Sequence, residues 1–303
     1  MTVTLEKHVT SLDKAAKKRR HTGIVKWAGG KKQLLFELLK YIPKTFGAYH
    51  EPFLGGGALF FALAEASRIT EASLGDMNAK LVTTYQAVRD EVETVIAHLQ
   101  KHKNNEHHYY EVREHNMQRG GKVQRAADFI FLNRAGFNGL YRENKKGRFN
   151  VPFGDNPKAQ ICDEASLRSS SRLLQLASVT AGDFARLRSR VKKGDLVYFD
   201  PPYLPLSKTS NFTGYTADGF GLEDQKRLRQ LVQDLVASEI HVLLSSSSAT
   251  ATRELYDGFS IIEVNARRSV NSKGDSRGAV KELLIMSPWL VRQQEMFPLA
   301  ERE

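Results

Sequence analysis

Apolar residues at helical spacing first gather at Leu34, Leu35, Leu38, Leu39 and Ile42, one face of a helix that Pro43 stops. Short extended runs then alternate with helical ones. "AYHEPF" reads as a strand, "GGGALFFALAEA" as a turn into a helix, and "ASLGDM" as a second strand. After Asn78 the rhythm changes. "NAKLVTTYQAVRDEVETVIAHLQKH" predicts one long amphipathic helix, and "NNEHHYYEVREHNMQRGGK" is polar and strand-poor. A further helix, "VQRAADFIFLNRAG", leads into the basic loop "FNGLYRENKKGRFNVPFGDNP". Strand–helix alternation resumes with "SVTAGDF", "LVYFDPPY", the helix "LEDQKRLRQLVQDLVASE", "HVLLSSSS", "SIIEVNA" and "KELLIM". The pattern predicts an α/β protein with a doubly wound, mostly parallel sheet and a mainly helical insertion. On this reading residues 21–79 and 171–303 form one domain, 80–170 the insertion, and 1–20 a charged, flexible arm.

Composition narrows the class without naming it. The chain has 303 residues, 41% hydrophobic and 26% charged, which is ordinary soluble globular composition. No run approaches the roughly 18 apolar residues of a membrane span, and the N-terminus lacks the apolar core of a signal peptide, so a cytoplasmic location is expected. Cys162 is the single cysteine, which excludes an intrachain disulfide and a thiolate metal cluster; it reads as a small, partly buried side chain. His107 and His108 have no metal-ligand spacing and are expected on a solvated loop, so no metal is expected. The net charge of +11 is concentrated: residues 1–32 carry +7 and residues 133–148 carry +4, leaving the rest neutral. Two basic stretches on a neutral body point to a polyanionic partner.

Two strand ends carry candidate chemistry. "EPFLGGGALFF" places Gly55, Gly56 and Gly57 directly after a strand, where backbone without Cβ atoms can approach a ligand closely. Asp76 ends the next strand, and a carboxylate there can accept hydrogen bonds from ribose hydroxyls. The turn alone does not separate a dinucleotide from S-adenosyl-L-methionine. "GGKK" at 29–32 lacks the spacing of a phosphate loop, which excludes a nucleotide triphosphatase.

The second end is "LVYFDPPY". Pro201 biases Asp200 toward extended backbone, and Pro201 and Pro202 each remove an N–H while keeping a carbonyl. The tip is therefore stiff, rich in acceptors and poor in donors, with the Tyr203 ring beside it. Its complement is a flat ligand presenting two hydrogens from one amino group: Asp200 takes one, the Pro201 carbonyl the other, and Tyr203 stacks on the heterocycle. Drawing both hydrogens of adenine N6 toward acceptors favours a pyramidal nitrogen whose lone pair can face a methyl donor. An ordinary aspartate, pKa ~3.9, is too weak a base to strip a neutral amine. The role for the carboxylate is orientation and stabilisation of positive charge developing on nitrogen.

Taken in order, "KWAGGK" (26–31), "EPFLGGGALFF" (51–61), "GDMN" (75–78), "FLNRAGFNGLYR" (131–142), "FNVPFG" (149–154) and "DPPY" (200–203) resemble the Dam-type DNA adenine-N6 methyltransferases. The match extends from Lys26 to about Met286. It implies a Rossmann-like class I methyltransferase fold, S-adenosyl-L-methionine as cofactor, and double-stranded DNA as partner, with no metal, membrane or obligate protein partner. By resemblance, Trp27 packs on the cofactor, Lys31 is the cofactor-site lysine, and Phe53, Gly55 and Gly57 line its methionine and ribose. Asp76 holds the ribose, Asp183 and Phe184 hold the cofactor adenine, and Asp200 neighbours the cofactor's charged end. Asp200, Pro201, Pro202 and Tyr203 carry the target adenine. For DNA, Lys26 resembles the lysine that contacts the first guanine of GATC, and Phe137 the wedge beside a flipped base. Asn138, Leu140, Arg142 and Pro152 match positions that recognise the remaining bases, and Arg134 joins this DNA-contacting group. Arg142 is chemically apt, because a guanidinium can bond guanine O6 and N7 together. "SSSS" (245–248) departs from the "SNH"-like segment of the family.

The expected activity is methyl transfer to adenine N6 in duplex DNA, within GATC. The alternatives are an amino-methyltransferase for cytosine N4 or RNA adenine, a DNA-binding relative with an inactive core, and a nicotinamide oxidoreductase. The last has no use for Pro-Pro-Tyr or a basic insertion.

Overall fold

The computed structural model describes residues 23–27, 29, 31, 34–115, 117–203, 220–267 and 279–291. The expected arm at 1–20 lies outside them. Seven strands form one sheet in the order β3-β2-β1-β4-β5-β7-β6: β1 (Tyr49–Glu51), β2 (Ala72–Asp76), β3 (Ala177–Ala181), β4 (Leu196–Phe199), β5 (His241–Ser247), β6 (Ser260–Arg267) and β7 (Ala279–Met286). The first five are parallel, and β7 runs antiparallel between β5 and β6. Every residue of β4 is buried, as a central parallel strand covered on both faces requires.

One face is covered by α2 (Ala58–Glu65), α3 (Ala79–Leu99) and α6 (Glu164–Leu174), and the other by α7 (Leu222–Ala237) and a 3-10 turn at Phe184–Ser189. Alternation along β4 divides its side chains accordingly. Leu196 and Tyr198 enter the core under the first set of helices, Val197 and Phe199 the core under the second. The first core continues without a break into α5 (Lys122–Ala135), where Ala126, Phe129, Ile130 and Phe131 are buried with Leu81, Tyr85, Val95 and Leu99 of α3. Asn78 caps α3 by accepting the Leu81 N–H at 3.0 Å, and the helix kinks at Glu91. The first predicted helix, α1, spans Leu35–Lys40, with Leu34, Leu38 and Ile42 buried.

The stretch expected as a polar loop at His107 and His108 is instead α4 (Glu106–Glu114), seated by buried Tyr109 and Val112. Asn105 caps it, accepting the His108 N–H at 2.9 Å. His107 is exposed on this helix, whereas His108 turns inward and bonds His102 at 3.0 Å. A last short helix, α8 (Thr250–Leu255), follows β5. Among the described residues no helix is long and apolar enough to cross a membrane.

The chain moves outward from β1 to β2 and β3, then returns to place β4 on the other side of β1. At such a reversal the loops leaving the two central strands diverge and open a crevice over their carboxyl ends. Here those ends are Glu51-Pro52-Phe53 and Asp200-Pro201-Pro202.

Candidate active site

The glycine turn after β1 is fixed from three sides. The Gly55 N–H donates to Asp76 Oδ2 at 3.0 Å, and the Tyr85 hydroxyl donates to the Gly55 carbonyl at 3.0 Å. Gly55 has φ +46°, and a Cβ there would lie 2.8 Å from Trp27 Cδ1, so only glycine serves. Gly57, φ +62°, opens α2. Asp76 also accepts the Asn78 N–H at 2.9 Å, so the carboxylate expected at the ribose first ties the ends of β1 and β2 together. Burial pushes its carboxyl up, and the three amides of Asn78, Gly55 and Met77 offset part of that shift. Trp27 lies against Gly55 and stacks on Tyr141, with centroids 5.2 Å apart. Phe53 leaves β1 to stack on Phe184 at 5.5 Å, and Pro52, Gly75, Gly182 and Asp183 line a cleft beside that pair. Asp183 Oδ1 caps the Phe184 turn through the Ala185 N–H and pairs with Arg227 at 2.9 Å.

At the end of β4, the Lys31 ammonium meets Asp200 Oδ1 at 2.8 Å and sits 4.7 Å from the centre of the Tyr203 ring. It also donates to the Gly29 carbonyl at 2.8 Å and is only 7% exposed. Tyr203 donates to Glu282 Oε2 of β7 at 2.7 Å, and Gln225 of α7 donates to the Pro202 carbonyl at 2.9 Å. The whole Asp200–Tyr203 tip is thus braced by three different elements. Burial, with Asp200 and Glu282 nearby, pushes the Tyr203 hydroxyl well up, so it stays a donor. Beneath the tip, Glu51 is buried and accepts from Tyr49 at 2.9 Å. Burial is the main cause that lifts its carboxyl to about 8, with Asp200 adding to the effect.

The basic loop forms a hairpin from Gly136 to Gly154, closed by bridges Gly136–Phe153 and Glu143–Phe149. Asn138 (φ +54°) and Gly139 (φ +64°) adopt left-handed backbone in succession, a conformation asparagine tolerates better than most residues. Phe137 is 49% exposed there, a large apolar ring in solvent. Asn138, Arg142 and Pro152 are exposed on the same hairpin, while Leu140 is half-buried. Asn150 orients Arg142, accepting from Nε at 2.8 Å, and Lys80 reaches from α3 to Glu143 at 2.7 Å. Arg134, expected at the DNA, is buried instead and spends its guanidinium on the carbonyls of Gly23, Ile24 and Gln160. Such saturation by backbone acceptors leaves it a structural clamp on the segment that leads to Lys26.

Residues that the sequence reading overlooked hold these parts in place. Asn133, fully buried, accepts the Lys26 N–H at 2.7 Å and donates to the carbonyls of Lys26 and Gly139 at 2.8 and 3.0 Å. It joins the segment bearing Lys26 and Trp27 to the hairpin bearing Phe137 and Asn138. Glu51, the first residue of the 51–61 stretch, and Glu282 of β7 likewise brace the site without a pattern of their own. For Glu51 the available signal was a carboxylate at the end of a buried strand, directly before Pro52 and the glycine turn.

A seven-stranded sheet of this order, with a glycine turn and an acidic tip over its switch point, is the Rossmann-like methyltransferase architecture. Residues 27–270 match the family described as D12 class N6 adenine-specific DNA methyltransferase. The chain belongs to that family and is an adenine-specific DNA methyltransferase. It is 39% identical over 268 residues to the type II methyltransferase M1.LlaDCHI of Lactococcus lactis subsp. cremoris, covering 86% of this chain and 93% of that one. It is also 39% identical over 282 residues to the type II methyltransferase M.MjaIII of Methanocaldococcus jannaschii, covering 87% and 98%. To the DNA adenine methylase of Escherichia coli K12 it is 35% identical over 272 residues, covering 88% and 96%. Methyltransferases of this kind generally use S-adenosylmethionine. The glycine turn, the Phe53–Phe184 pair and the acidic groups at the ends of β2 and β4 suit a nucleoside with a cationic centre.

Proposed function

We propose that this protein methylates N6 of an adenine flipped out of duplex DNA, within GATC, using S-adenosyl-L-methionine. The observation that carries the reading is the acceptor-lined tip at Asp200–Tyr203, whose carboxylate already holds a cation at 2.8 Å over an aromatic ring. Lys31 shows that the tip accepts from nitrogen donors: its ammonium pairs with Asp200 Oδ1 beside the Tyr203 ring and leaves Oδ2 for the substrate. S-adenosyl-L-methionine, when bound, supplies an electrophilic methyl group on sulfur. Asp200 and the Pro201 carbonyl then take the two hydrogens of N6, aiming the nitrogen lone pair away from the ring plane. Asp200 stabilises the positive charge that builds on nitrogen. Alignment of this kind is worth up to roughly 7–11 kcal/mol.

Reaching N6 costs a few kcal/mol for extrusion of the base, and stacking on Tyr203, about 1–3 kcal/mol, offsets much of it. Phe137, exposed on the hairpin, is suited to fill the space the base vacates. Lys26, Asn138, Leu140, Arg142 and Pro152 are assigned to reading the site, and residues 80–170 to the target-recognition unit. GATC rests on the resemblance of these positions to Dam-type enzymes. The test is to methylate a plasmid of mixed sequence with the purified protein and map the modified bases. Methyl groups on adenines of GATC support the reading; modification at cytosine, or at adenines in unrelated sequences, sinks the base or the site assignment respectively.

A further inference from the structure

The serine run at 245–248 begins with a residue whose hydroxyl meets the end of β4. Strands β4 and β5 pair with Phe199 opposite Leu244, so the next step of the register sets Ser245 opposite Asp200. Ser245 is fully buried, and its hydroxyl lies 2.9 Å from Asp200 Oδ1 and 3.0 Å from the Tyr198 hydroxyl. A serine hydroxyl has one hydrogen, and the carboxylate has none to give in its ion pair with Lys31. The hydrogen therefore goes to Asp200, and Tyr198, itself 1% exposed, must donate to Ser245. The direction of the chain is fixed: Tyr198 to Ser245 to Asp200.

We propose that Ser245, oriented by Tyr198, is the positioning residue that holds the Asp200 carboxylate with Oδ1 saturated and Oδ2 presented to the amine. Lys31 and Ser245 both donate to Oδ1, and among the described residues no donor reaches Oδ2. The terminal torsion of an aspartate is broad and roughly two-fold, so a carboxylate held at one point can rock or exchange its oxygens. Lys31 restrains it weakly, through a flexible four-carbon stem. Ser245 restrains it from a central strand whose backbone is paired on both sides by β4 and β7. Oδ2 then meets the incoming N–H without first being released from another donor. This inference rests on Asp200 as the acceptor for N6.

The experiment compares wild type, Ser245→Ala and Tyr198→Phe on a GATC duplex, with thermal unfolding of each. The expected result is a kcat lower by about 10- to 100-fold in Ser245→Ala, the loss of one hydrogen bond to a charged group. Tyr198→Phe, which leaves no cavity to speak of, should lose several-fold, and KM for DNA and cofactor should stay within about threefold in both. A second readout needs no turnover. With S-adenosylhomocysteine present, affinities are measured for duplexes carrying adenine or purine, which lacks the amino group, at the target position. The adenine-to-purine ratio should shift toward purine in Ser245→Ala. Wild-type turnover by both variants, or a loss confined to KM with the ratio unchanged, overturns the proposal. Absence of adenine methylation by the wild type overturns the parent reading instead, and this one with it.

Discussion

Asp200 is where a change of one atom separates chemistry from folding. Asp200→Asn can keep an oxygen toward Lys31 and Ser245, so the bonds that brace the tip survive. The amide NH2 then stands where Oδ2 faces the substrate, a donor set against the N–H it should accept. Methyl transfer should fall at least ~100-fold, since the lost interaction is one made to developing charge, while the unfolding midpoint drops only as far as the nearly buried Lys31 ammonium misses its counter-charge. Substantial turnover by a folded Asn variant would contradict the role given to the carboxylate. Arg142 answers a different question, because it is exposed on the hairpin and is assigned above to reading the DNA rather than to the reaction. Arg142→Ala should relax preference at one base pair by ~1–3 kcal/mol, read from turnover on a set of single-substituted sites. An equal loss on every sequence would make it a phosphate contact. Glu51 supplies a pH dependence. Its carboxyl is lifted from the ordinary 4.5 to about 8 in the fold, so between those values the folded protein binds more protons than the unfolded chain. Stability from this group is fully present below pH 4.5 and declines as pH rises through 8, by about 1.4 kcal/mol per pH unit. Glu51→Gln, whose amide can donate to the Tyr49 hydroxyl oxygen, should flatten denaturant midpoints over that window.

At the scale of elements, the active site depends on how α5 grips the chain around it. Asn133→Ala would leave the Lys26 N–H and the carbonyls of Lys26 and Gly139 without their side-chain partner. Each such group costs about 1–3 kcal/mol if it stays buried, so roughly 2–4 kcal/mol of stability should be lost after relaxation toward water. KM for DNA should rise more than KM for the cofactor, because the Gly139 turn carries Phe137 and Asn138 and is hydrogen-bonded to the Lys26 segment through Asn133. Equal changes in both constants would argue that the link serves stability alone. The same elements show what sequence can and cannot reveal. Strands β1 and β4 were legible because each runs into proline, Pro52 and Pro201 with Pro202, and β2 because Ala72 and Leu74 alternate with Ser73 before Asp76. Helix α4 was not, because only Tyr109 and Val112 face the core and nine residues seldom form a stable helix without packing. The inward turn of Arg134 is set by carbonyls more than 100 residues away on one side, which no local pattern encodes. Ser245 stands out only as the start of a serine run, and its place opposite Asp200 exists only once β4 and β5 are in register.

At the scale of the whole molecule, the proposed reading of duplex DNA depends on charge as well as shape. Of the two basic stretches, the hairpin presents exposed Arg142, Lys145, Lys146 and Arg148 beside Phe137, with Lys26 exposed nearby against Gly139. These side chains share the hairpin with the only large apolar ring exposed on it among the described residues, so a duplex laid along the hairpin with Phe137 beside the base, as proposed above, would bring phosphates over them. Each phosphate neutralised releases condensed counterions, and affinity falls with the logarithm of salt by about 0.9 per contact on B-form DNA. Replacing Lys145, Lys146 and Arg148 together by alanine should therefore lower the salt slope of binding by roughly 2–3, if each meets one phosphate. Discrimination between GATC and altered sites should persist, because phosphates carry no sequence information. Binding isotherms on a cognate and an unrelated duplex, each at four salt concentrations, separate the two quantities. An unchanged slope would place the DNA on another face of the protein, and Phe137 with it would lose its place beside the displaced base.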